Sequence, residues 1–120
     1  RRAGELVFVA GQGCRDPETN AYAGTVVEND KVVSYDIVEQ TKGVLQNVER
    51  ALKNENLTRK QIIDVNVFLM DMEDFEGMNS VWNDFFKECS SPTRTTVCVK
   101  QLPGHNRVEM KAIASLGEQA

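Results

Sequence analysis

Residues 62–86 read IIDVNVFLMDMEDFEGMNSVWNDFF, and within them the hydrophobic period changes from two to between three and four. Over 62–70 the β-branched side chains alternate, so Ile63, Val65, Val67 and Leu69 share one side of an extended chain and predict a buried strand. Asp71 and Asp74 then offer caps for a helix whose Phe75, Met78, Trp82, Phe85 and Phe86 fall on one stripe, ended by Ser90-Ser91-Pro92. Such a stripe is first of all a core surface. Asn79 sits on it, and a polar amide among aromatic neighbours needs a hydrogen-bond partner.

Upstream of this strand–helix pair, Ile37, Thr41, Val44, Leu45, Val48, Ala51 and Leu52 recur at spacings of three and four, and Asp36 with Glu39 has the form of a capping box. The spacing predicts a helix from Asp36 to about 54–56. Before it, 7–10 is a short β-prone run stopped by Gly11-Gln12-Gly13. Residues 22–27 and 32–33, separated by Asn29-Asp30, have the composition of a short hairpin. Downstream, two strands over 94–102 and 107–114 are joined by Pro103-Gly104-His105-Asn106, which reads as a second hairpin. Alternation then predicts Thr95, Val97 and Val99 beside Val108, Met110, Ala112 and Ala114 under the helices. Arg94, Thr96, Cys98 and Lys100 would share the other face with Glu109, Lys111 and Ile113.

A chain of 120 residues, 41% hydrophobic, suits a single domain over 1–120. At this size folding hides only about two thirds of the unfolded chain's surface, which favours a homo-oligomer. Fourteen basic against eighteen acidic side chains leave a net charge of −4, so nucleic acid is not an expected partner. No apolar run approaches the ~20 residues that span a bilayer, so no membrane association is expected and a cytoplasmic protein is predicted. The opening at Arg1 rather than Met predicts that a native start is missing. Cys14, Cys89 and Cys98 show no CxxC spacing, and His105 is the single histidine, so neither a zinc site nor any other metal or cofactor is expected.

Five separated motifs stand in order: VFVAGQG at 7–13, YDIVEQT at 35–41, NVFLMDMEDFEGMN at 66–79, PTRTTVCVKQLP at 92–103 and VEMKAIA at 108–114. Together they resemble the RidA (YjgF) family of enamine and imine deaminases, and within it the 2-aminomuconate deaminase branch. The resemblance implies an α+β, chorismate-mutase-like fold, a mixed sheet with two helices packed on one face. It also implies a homotrimer whose metal-free active sites lie in clefts between subunits. It makes Arg94 the anchor of a small-molecule carboxylate substrate and Glu109 the residue that positions water or moves a proton. Asn79, Gly11, Thr95 and Thr96 would line the same pocket. Without the resemblance, Arg94 would read as a surface residue and Glu109 as an ordinary cross-strand charge. Ala10 stands where many members have serine, and Thr96 where imino-acid deaminases often have cysteine. Two alternatives therefore stand beside the aminomuconate reading: a general 2-iminobutanoate/2-iminopropanoate deaminase, and a non-catalytic carboxylate-binding or chaperone-like trimer.

Overall fold

The computed structural model describes residues 1–117. Five strands form one sheet in the order β1 (Arg2–Ala3), β2 (Leu6–Gln12), β7 (Val108–Ser115), β5 (Ile62–Leu69) and β6 (Thr93–Cys98). A separate hairpin, β3 (Thr25–Glu28) and β4 (Lys31–Tyr35), turns through Asn29 and Asp30, both at positive φ (52° and 58°). Asn and Asp tolerate that conformation, which matches the twist of the flanking strands. Two helices, α1 (Ile37–Lys53) and α2 (Phe75–Phe85), complete the α+β domain.

The helices form because their ends and faces are specified locally. Asp36 caps α1 by accepting from the backbone of Val38 and Glu39, while the Asp36 N–H goes to the Gly24 carbonyl. Glu39 pairs with Lys42 one turn along, so only the forward half of the predicted capping box is seen. Asp71 caps a 3₁₀ turn at 72–74 that leads directly into α2. The two helices cross closely at Gly77, where a β-carbon would meet Ile37 Cγ2 at 2.6 Å. Beneath them the core is Val44, Val48 and Leu52 of α1, Met78, Trp82 and Phe86 around α2, and Val65, Val67, Leu69, Met110 and Ala112 of the sheet.

The strand order differs from the hairpin expected at 94–114. β7 runs antiparallel between β2 and β5, while β6 lies at the edge and pairs parallel with β5. The strand–helix–strand unit β5–α2–β6 produces this, since its helical crossover returns the chain in the direction it left. Residues 99–107 then carry the chain across to the sheet centre instead of turning back.

The consequence for the faces is large. Val65, Val67 and Leu69 lie opposite Arg94, Thr96 and Cys98 on one side and opposite Ala112, Met110 and Val108 on the other. In-register neighbours project to the same side of a sheet, so Arg94 and Thr96 lie on the helix-covered face. Thr95 and Val97 lie on the uncovered face with Asn66, Phe68, Glu109 and Lys111. The faces predicted for β6 are thus exchanged, because a parallel pairing with β5 sets its register in place of a hairpin with β7. Ile62 also replaces Ile63 in the core, through a register shift between Ile62 and Asp64.

Candidate active site

Arg94 enters the edge strand just after Pro92-Thr93 and projects towards α2. Its Nη1 donates to Asn79 Oδ1 at 2.7 Å. The guanidinium carbon lies 4.9 Å from the Trp82 ring centroid and 5.4 Å from that of Phe75. Positions 75, 79 and 82 fall on one helical stripe, so a single face of α2 supplies an acceptor and two π surfaces to one cation. Burial draws the Arg94 pKa down from its ordinary value, yet a guanidinium retains its charge. Among the described residues, no carboxylate lies within ion-pair distance of Arg94. Two residues along the same face, the Thr96 hydroxyl oxygen is buried without a hydrogen-bond partner. A half-buried, pre-oriented and unpaired guanidinium beside an orphan hydroxyl is a site suited to a planar anion with a polar neighbour.

Glu109 lies elsewhere. It projects from β7 on the uncovered face, level with Phe68 of β5. A bulge between Val9 and Gln12 of β2 brings Gly11 against it, so closely that a β-carbon on Gly11 would lie 2.6 Å from Glu109 Oε2. Bulges of this kind re-aim a strand beside functional groups. Thr95 is exposed on that face as well. One chain therefore places Arg94, Asn79 and Thr96 on the helix-covered side and Glu109 with Gly11 on the other, where Thr95 shares the face but lies beyond β5, level with Lys111. The expectation that Arg94 and Glu109 share a face is overturned by the parallel register of β6.

Two polar clusters were not legible in the sequence. Gln40, fully buried in α1, donates to Thr25 Oγ1 (2.7 Å) and the His105 carbonyl (3.2 Å), and accepts from the Arg107 backbone N–H (2.8 Å). Nearby, the Tyr35 hydroxyl donates to Asp74 Oδ2 at 2.7 Å, and Arg107 sits 5.3 Å from the Tyr35 ring centroid. Burial, then the Asp74 hydrogen bond, push the Tyr35 phenol up to about 12. Tyr35 opens one of the five motifs and Arg107 directly precedes another, yet neither spacing nor alternation brings them together. One groove of about 560 Å³ lies between α1 and α2, lined by Lys42, Glu49, Arg59 and Phe85 among others, and includes neither Arg94 nor Glu109. Among the described residues no three His, Cys, Asp or Glu side chains gather into a metal-binding group, and no helix is long and apolar enough to cross a membrane.

The family described as Endoribonuclease L-PSP matches residues 1–116. A RutC family protein of Pyrococcus abyssi is 38% identical over 113 residues, covering 94% of this chain and 80% of that protein. The chloroplastic Reactive Intermediate Deaminase A of Arabidopsis thaliana is 30% identical over 115 residues, covering 96% of this chain and 56% of that protein. The crystal structure of E. coli TdcF with bound serine superposes with a TM-score of 0.82 at 31% identity, covering 96% of this chain and 84% of that one. The sheet order, the two covering helices and these matches place the chain in one family: it belongs to the Endoribonuclease L-PSP (RidA) family.

Proposed function

We infer that the protein is a deaminase that hydrolyses carboxylate-bearing enamines and imines, with Arg94 as the substrate anchor. The observation that carries this reading is the unpaired Arg94 guanidinium, fixed by Asn79 and stacked near Trp82 and Phe75. A rigid fork can hold a carboxylate through two parallel hydrogen bonds and so orient the adjacent C=N carbon. The enamine takes a proton at carbon to become an imine, water adds to the imine carbon, and the carbinolamine collapses to a carbonyl and ammonia. Glu109 orients that water and passes its proton to the departing amine. An imine carbon is already electrophilic, so positioning supplies much of the acceleration.

Since Glu109 and Arg94 occupy opposite faces of one sheet, the complete site needs a second copy. The uncovered face suits such a contact, with Phe8 and Val97 exposed and Phe68 and Ile113 half-buried around Glu109. We assign the assembly as a homotrimer with its sites between subunits, and the substrate as an aminomuconate-type diacid in preference to short 2-imino acids. The Arabidopsis relative's name supports the reaction class, and the serine bound to TdcF shows a small carboxylate held by a neighbour of the same fold. A net charge of −4 does not favour a nucleic-acid backbone as substrate.

The separation of Arg94 from Glu109 also favours a second reading, binding of carboxylates without turnover, for any form in which the copies do not associate. Ammonia release from freshly generated 2-aminomuconate and 2-iminopropanoate separates the two readings. Arg94→Ala is expected to lower kcat/KM by about ten- to a hundredfold, the loss of one charge-assisted pair of ~1.5–3 kcal/mol. Near wild-type turnover by a folded Arg94→Ala protein would end the anchoring role.

A further inference from the structure

We propose that Arg107 is a second anion anchor, which makes an extended dicarboxylate, and not a monocarboxylate, the preferred ligand of the site; this rests on the assignment of Arg94 as first anchor. Arg107 is half-buried and held from two directions, with Nη1 3.9 Å from Met70 Sδ and its guanidinium carbon 5.3 Å from the Tyr35 ring centroid. Its backbone is fixed as well, the N–H on Gln40 Oε1 at 2.8 Å and the carbonyl on the Met70 N–H at 3.2 Å. Thioether sulfur is a weak acceptor. Among the described residues, no carboxylate lies within ion-pair distance of this guanidinium, and Asp74 accepts the Tyr35 hydroxyl instead. A fixed, forked and unpaired cation is a costly arrangement to keep half-buried unless an anion joins it.

Its position relates it to the chemistry. Arg107 directly precedes β7 and stands two residues before Glu109, with the buried Val108 between them, a spacing of roughly 6–7 Å along extended chain. A substrate carrying two negative charges is repelled by Glu109; Arg107 offsets that repulsion, whereas a monocarboxylate neutralised by Arg94 gains little from it. Lys111 lies on the same side of Glu109's strand, but it is exposed on a flexible stem and presents no fixed fork.

Muconate and sorbate test this, because they share a six-carbon diene and differ in one terminal carboxylate. Calorimetric titration of the intact protein is expected to show muconate binding at least about tenfold tighter than sorbate. Arg107→Gln should weaken muconate by about ten- to a hundredfold, to the sorbate level, and leave sorbate unchanged. Arg107→Lys should lie between, and serves as the measured variant if Arg107→Gln does not fold; Lys111→Gln should leave the ratio as in wild type. An unchanged muconate-to-sorbate ratio in the Arg107 variants, or its loss in Lys111→Gln, overturns the second anchor while leaving Arg94 intact. Arg94→Ala should weaken both ligands. If wild-type protein binds neither, the carboxylate site itself falls, and this inference with it.

Discussion

At the scale of single residues, the site depends on what its neighbours leave free. Asn79 uses its carbonyl oxygen on Arg94, so Asn79→Ala should release the guanidinium without exposing core. We expect about a tenfold loss of kcat/KM on acidic substrates, a neutral-to-charged hydrogen bond, with the melting temperature changed little; an unchanged rate would show that Trp82 and Phe75 position Arg94 unaided. Gly11 behaves differently, since any side chain there displaces Glu109. Cys14 gives a pH prediction. Burial raises its thiol from 9.0 to about 11. Its contribution to stability is therefore complete below pH 9 and lost as pH rises through 11, because the unfolded thiol ionises first. Denaturant midpoints should fall across that window in wild type and fall less in Cys14→Ala; equal slopes would show that another group dominates.

At the scale of elements, Gln40 ties α1 to β3 and to the segment leading into β7. Gln40→Leu keeps the volume but leaves the Arg107 N–H and the Thr25 hydroxyl without this partner. It should cost about 1–3 kcal/mol, visible as a lower denaturant midpoint at constant m-value. Loss of muconate discrimination in the same variant would show that Arg107 needs its backbone pinned. Periodicity made α1, α2 and β5 legible, because each buries one face and the pattern records which. The β3–β4 hairpin was legible through Asn29-Asp30. The partner of β6 was not, since alternation states that two sets of side chains part but not which set meets the core.

At the scale of the molecule, the uncovered sheet face sets the assembly prediction. Light scattering at micromolar concentration should give about 40 kDa, three chains of 13.4 kDa; a monomer would defeat the shared-site reading. Phe68→Glu places a charge at the centre of that face without touching the helix-side core. It should shift the mass towards one chain and abolish deamination, while carboxylate binding at Arg94 weakens less than turnover.

The sequence by itself determined the elements, most of the core and the family, because local periods, caps and five ordered motifs are written in neighbouring residues. Through the family resemblance it also singled out Arg94 and Asn79, but alternation put Arg94 on the face away from α2, so their pairing was not foreseen. Only the tertiary structure decided that β7 separates β2 from β5 and that β6 runs parallel at the edge. Those choices place Arg94 and Glu109 on opposite faces and bring Tyr35, Asp74 and Arg107 together. The reason is physical: strand pairing is fixed by crossover geometry and by burial summed over the whole sheet, and neither quantity resides in any one segment.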